Sequence, residues 1–221
     1  MKEKYATFAG IDEAGRGPVI GPIVIAGVSI DKNGEAKLKA LGVKDSKLLT
    51  KQKREELYPK VKEIVKDFKV IMVGAEEVDA RESINLNLND LEAVKCAEII
   101  NHLKCDAVIV DCPSPNIPAY KGYISQFVED KKKEIIPEHK ADMNHIVVGA
   151  ASILAKVDRD REIERLKEEV GIDFGSGYPS DPKTKKFLAE NWDKYPGLFR
   201  KTWSSWKRIK EGKAQKGLFE F

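Results

Sequence analysis

Two periods of apolar residues alternate along the chain. Short unbroken apolar runs at 6–11, 23–30, 70–74 and 107–110 are too brief for helices and rich in β-branched residues, so they read as buried strands. Between them the period lengthens. Leu57, Val61, Ile64 and Val65 mark one side of a charged helix from about 51 to 66. Ala93, Cys96, Ala97, Ile100 and Leu103 do the same for a helix over 89–103, with Glu92, Lys95, Glu98 and His102 on the opposite face. A third helix runs from about 145 to 169, where Ile146, Ala150, Ile153 and Val157 share a face and Gly149, Ala150, Ala151 and Ser152 permit close packing. Gly175, Gly177, Pro179 and Pro182 then break the pattern. The order hairpin, helix, strand, helix, strand, helix predicts an α/β fold, a mixed sheet flanked by helices. A larger domain over 1–174 and a basic, aromatic helical subdomain over 175–221 follow from the change of character, since Trp192, Trp203 and Trp206 all fall in the last thirty residues.

The polar residues at strand ends carry the candidate chemistry. Asp12 and Glu13 follow the first apolar run and open the glycine and proline turn G-I-D-E-A-G-R-G-P at 10–18; Asp111 ends the strand at 107–110; Asp142 lies just before the third helix. Acids at the ends of two strands converge at one end of a sheet. Four gathered carboxylates repel unless cations lie between them. Oxygen-only ligands select hard ions, Mg²⁺ or Mn²⁺, and two such ions roughly 3.5 to 4 Å apart drive in-line phosphodiester hydrolysis. Gly15 and Gly17 flank Arg16, which lets the backbone approach a ligand closely while the guanidinium, or bare amide groups, faces it. The bland alternative is a tight hairpin with solvated acids.

Charge and composition narrow this further. Lys and Arg number 39 against 36 Asp and Glu, a net charge of only +3, so the global balance does not announce a nucleic-acid binder. From Lys183 to Lys216, however, eleven Lys or Arg face three acids, a plausible phosphate-binding surface. Cys96, Cys105 and Cys112 are odd in number and lack C-x-x-C spacing, which argues against disulfides and zinc and for small core residues. No signal-peptide pattern and no apolar run near the roughly 20 residues of a membrane span occurs, and no long heptad pattern, so a cytoplasmic monomer is expected. A nucleic-acid binding module with structural acids, and a nucleotide-binding enzyme using the glycine loop, remain competing readings. The second lacks a G-x-x-x-x-G-K-[ST] motif.

Five segments in order, the G-I-D-E-A-G-R-G-P opening, Asp45-Ser46-Lys47, Val110-Asp111-Cys112-Pro113, Lys140-Ala141-Asp142 with V-V-G-A-A-S-I-L-A-K-V-D-R at 147–159, and Gly175-Ser176-Gly177-Tyr178-Pro179, resemble type 2 ribonuclease H, ribonuclease HII, of archaeal kind. The resemblance implies a ribonuclease H-like fold with a C-terminal helical region. It implies hydrolysis of the RNA strand of RNA/DNA hybrids and of single ribonucleotides embedded in duplex DNA. By it, Asp12, Glu13, Asp111 and Asp142 match the family's metal-binding acids, and Gly15, Arg16 and Gly17 match the segment that reads the ribose 2′-hydroxyl. Tyr178 matches the tyrosine that stacks on the following deoxyribose. Lys47, Ser152 and Lys156 are expected phosphate contacts, with an ordinary surface lysine or a packing serine as the alternative. His102, His139 and His145 stay outside the catalytic set. Ribonuclease HIII differs in its glycine loop and has an extra N-terminal domain, for which the strand beginning by residue 6 leaves no room. The ending Gln215-Lys216-Gly217-Leu218-Phe219-Glu220-Phe221 resembles the peptide that binds the sliding clamp, PCNA, through Gln215, Leu218 and Phe221, short of its second aromatic.

Overall fold

The computed structural model describes residues 5–43 and 49–218, with side chains up to residue 212. Among them, five strands form one sheet in the order β3-β2-β1-β4-β5. Strand β1 (Thr7–Ala14) pairs antiparallel with β2 (Ile23–Asp31), Gly10 opposite Val28 and Ile11 opposite Gly27. It also pairs parallel with β4 (Ala107–Asp111), which pairs parallel with β5 (Glu134–Glu138). β3 spans Asp67–Val73 on the far side of β2. The first strand is longer than its apolar run predicts. Ladder bonds to β2 carry it through Asp12 and Glu13, so these acids lie within the strand and not in the turn after it.

The helices are α1 (Lys32–Ala40), α2 (Lys51–Ile64), α3 (Ala75–Ala80), α4 (Leu88–His102), α5 (Ile117–Phe127), α6 (Ala141–Asn144), α7 (Ile146–Val170), α8 (Pro182–Asn191) and α9 (Ser204–Leu218). Strand β2 passes directly into α1, because Asp31 accepts a hydrogen bond from the Gly34 N–H at 2.8 Å and caps the first turn. Asn87 and Asp90 form a reciprocal capping box at the start of α4.

Missing side chains set the layers. A Cβ on Gly10 would lie 2.5 Å from the Val148 nitrogen and 2.6 Å from the Val147 carbonyl carbon, so α7 starts in direct contact with the backbone of β1. On the other face, a Cβ on Gly27 would lie 2.3 Å from Cγ2 of Ile99 in α4. The small residues expected to allow close packing do so, with Ala150, Ala151 and Ser152 fully buried. Glu92 departs from its predicted exposed face: it is 2% exposed, because α4 packs more broadly than one stripe.

The chain divides into two compact units. One comprises 1–14, 24–72 and 86–158 and holds the sheet. The other comprises 15–23, 73–85 and 159–221. Its core gathers Val19 and Ile20 with Phe174, Phe187, Phe199 and Trp206, and Ile20 bridges to Phe199 as a β-partner. Segments from the first half of the chain thus share a unit with the C-terminal residues.

Candidate active site

In the sheet-bearing unit, the parallel pairing of β1 with β4 brings their acidic ends together, since Ile11 registers with Val110. Ligand oxygens of Asp12, Glu13 and Asp111 all lie within 4.8 Å of one another. Asp142 lies outside that group among the described residues, yet its neighbour is tied to it: the Ala141 N–H donates to Oδ1 of Asp111 at 2.7 Å. Asp142 itself is buried.

Asp12 is 4% exposed, and burial raises its pKa to about 6. Lys156 and a hydrogen bond with Ser152 pull it down, Asp111 pushes it up, and the Glu13 N–H, 2.8 Å from Oδ1, favours the charge. Ser152 and Lys156 therefore stand one helical turn apart on α7, hydrogen-bonded to each other, and act on Asp12. Ser152 has no exposed surface and lies beside this acid, while Lys156 is half-buried.

Sequence reasoning missed Glu138. It registers with Asp111 at the end of β5 and accepts from His145 Nε2 at 2.7 Å and Asn144 Nδ2 at 2.5 Å. Burial opposes its charge, but these bonds prevail and hold its carboxyl below the usual range. His139, left out of the catalytic set, lies with Nδ1 3.0 Å from the Cys112 carbonyl oxygen. Behind the acids, Cys96 lies 3.8 Å from the Tyr120 hydroxyl; burial, reinforced by Glu13 and Glu92, pushes both their pKa values up. Cys112 is also buried and Cys105 half-buried, so two of the three cysteines are core residues as expected.

The glycine loop belongs to the second unit. Gly15 has φ +86°, a region that favours glycine, and a Cβ there would lie 2.5 Å from Arg159 Nε and 2.7 Å from the Pro22 carbonyl oxygen. Gly17 is exposed, and a Cβ on it would meet the Tyr178 ring edge at 3.3 Å. The expected pair of recognition elements is thus adjacent. Arg159 holds the Tyr178 turn: its Nη2 donates to the Ser176 carbonyl at 2.9 Å, and its Cζ lies 5.3 Å from the Tyr178 ring centroid. The Gly177 carbonyl in turn accepts from the Val19 N–H at 2.9 Å. Neither Arg159 nor Arg200 was singled out, since buried cations look like surface cations in a sequence. Arg200 was counted into the basic surface and is instead fully buried, spent on backbone carbonyls of the loop. Lys183, Lys185, Lys186, Lys194, Lys201, Lys207, Arg208 and Lys210 are exposed as that surface requires. Lys47 and Phe221 lie outside the described residues, as do the side chains of Gln215 and Leu218.

A five-stranded mixed sheet between helices, with carboxylates meeting at the ends of its two central parallel strands, defines a ribonuclease H-like fold bearing an acidic site. The model of the ribonuclease HII family matches residues 9–208. The chain is 45% identical over 216 residues to ribonuclease HII of Pyrococcus furiosus, covering 95% of this chain and 94% of that one. Its structure aligns with that of ribonuclease H2 from Pyrococcus horikoshii OT3 at a TM-score of 0.85 and 42% identity, over 93% and 98% of the two chains. It aligns with ribonuclease HII in a PCNA complex from Archaeoglobus fulgidus at 0.82 and 42%, over 90% and 95%. The chain belongs to the ribonuclease HII family and is a type 2 ribonuclease H, an endoribonuclease. Among the described residues, no helix is long and apolar enough to cross a membrane.

Proposed function

We propose that this chain hydrolyses the RNA strand of RNA/DNA hybrids and nicks duplex DNA on the 5′ side of a single embedded ribonucleotide, leaving a 3′-hydroxyl and a 5′-phosphate. The meeting of Asp12, Glu13 and Asp111 within 4.8 Å carries this reading, because three acids so close are an oxygen-only donor set for hard cations. Asp12, Glu13 and Asp111, with Asp142 as a fourth ligand, would hold Mg²⁺ or Mn²⁺. Bound there, two such ions would supply an activated water and neutralise the leaving oxygen.

The chain's own groups do the rest. Ser152 and the Glu13 N–H fix the Asp12 carboxylate, and Lys156 balances part of its charge. Gly15, Arg16 and Gly17 present backbone to a ribose, whose 2′-hydroxyl separates RNA from DNA. Tyr178, 39% exposed beside Gly17, offers a flat ring to a bare deoxyribose. The exposed lysines of α8 and α9 suit the phosphate backbone.

Cleavage of an end-labelled duplex with one ribonucleotide, in Mg²⁺, in Mn²⁺ and in chelator, tests this. The expected result is a metal-dependent nick 5′ of the ribonucleotide. Cutting of a long hybrid without that nick would discard the roles given to the glycine loop and Tyr178, and no cutting would discard the whole reading.

The tail from Gln215 to Phe221 is proposed to bind a sliding clamp. Its support is the clamp-like spacing of Gln215, Leu218 and Phe221, together with the PCNA complex formed by the Archaeoglobus fulgidus protein. Deleting 215–221 is expected to abolish clamp pull-down and to spare hydrolysis of a short duplex. Retained pull-down would end the proposal.

A further inference from the structure

Arg200 is a guanidinium with no exposed surface, and its donors go to one short loop. Nη2 donates to the Gly15 carbonyl at 2.7 Å, Nη1 to that of Arg16 at 3.2 Å, and Nε to that of Gly21 at 2.9 Å. Its own N–H donates to the Val19 carbonyl at 2.8 Å. The Trp203 ring centroid lies 5.0 Å from its Cζ, and Arg81 lies at 5.2 Å from the same ring. Burying a guanidinium is costly unless its donors are met in good geometry. A planar fork aimed at three carbonyls meets them, which a lysine's single point of charge does not.

The fork dictates where the loop's amides go. In a trans peptide the N–H points opposite to the C=O. With the Gly15 and Arg16 carbonyls turned onto Arg200, the Arg16 and Gly17 N–H groups are turned away from it. Two successive amides aimed the same way make a small concave site for an oxygen. Gly17, which carries the second amide, is exposed and lies against the Tyr178 ring.

We infer that Arg200 is a positioning residue for ribonucleotide recognition: it holds the Gly15–Gly17 backbone with two amides aimed at the sugar hydroxyl. This rests on the substrate reading proposed above. Arg200 touches no substrate, and its effect passes through the loop.

The test compares wild type with Arg200→Lys on the duplex containing one ribonucleotide, and measures inhibition by the same duplex made wholly of DNA. The inference expects kcat/KM on the ribonucleotide duplex to fall by about tenfold or more. It expects the inhibition constant of the DNA duplex to stay within about twofold, because phosphate contacts are untouched. An unchanged kcat/KM would overturn it, as would a matching loss on both duplexes, which a merely structural role produces. If wild type itself makes no nick, the substrate reading fails instead. Should Arg200→Lys not fold, Trp203→Leu decides: removing the ring beside the guanidinium is expected to lower kcat/KM by about threefold with the same split, and no change overturns the inference.

Discussion

Asp12→Asn is expected to abolish nearly all hydrolysis while leaving the metal-free protein more stable. The rate should drop on the order of a thousandfold, since a neutral amide removes charge from the centre of the donor set. The stability gain comes from the same charge. Burial raises the Asp12 pKa from the ordinary 3.8 to about 6, so the folded state holds a proton that the unfolded chain has already released. The contribution of this one group to stability is therefore greatest below about pH 4 and is lost as pH rises through about 6. Asparagine imitates the protonated form at every pH and keeps an oxygen for the Glu13 N–H. In chelator, the variant should match wild type at pH 4 and exceed it at pH 8 by on the order of 1–3 kcal/mol. Urea unfolding at the two pH values measures this. Equal stability at pH 8 would mean that the carboxylate is better solvated than its 4% exposure implies.

Gly10→Ala should be among the most damaging single-methyl changes in the chain. Its Cβ would lie 2.5 to 2.8 Å from the Val148 nitrogen and the Val147 carbonyl group, which are backbone atoms of a helix start and do not swing aside. Helix α7 has to move off the sheet, at a cost of about 3 kcal/mol or more, at the upper end of overpacking effects. For a chain of this size that lowers Tm by about 6–12 °C. Activity should fall as well, because α7 carries Ser152 and Lys156 to Asp12. Gly122→Ala is the control. It lies inside α5 with nothing within 4 Å of the added Cβ, so the gain in helix propensity should stabilise by up to about 1 kcal/mol. Similar melting shifts for the two variants would contradict the close contact of α7 with β1.

What the sequence reveals and what it hides have physical causes. Strands β1, β2 and β4 were legible because buried strands must be continuously apolar, and the runs of β1 and β4 lead directly to Asp12, Glu13 and Asp111, although β1 itself continues to Ala14. The β5 strand, E-I-I-P-E, was not: it is five residues long and contains Pro137, which an edge strand tolerates and a pattern search rejects. Helix α1 escaped notice because Asp31 turns the chain from strand to helix without a loop. Glu92 defied its helical phase, since phase predicts the least buried side and α4 has hardly one in that turn. The buried arginines were the least legible. Nothing local distinguishes Arg159 or Arg200 from Lys201; carbonyls far away in sequence do, and those become acceptors only once the fold has formed.

The bare backbone of Gly10 and the carboxylate of Asp12 lie two residues apart on one strand, so they share a face and a register. A slip of one residue in the pairing of β1 would present Ile11 to α7 where only a glycine fits, and would swap the faces of the two acids at the same time. Misaligned hairpins are thereby barred from docking the helix at all. The core acts as a proofreader for the site: a chain that has achieved compact packing has, by the same event, aligned its acids, and no well-packed but chemically scrambled form competes with it.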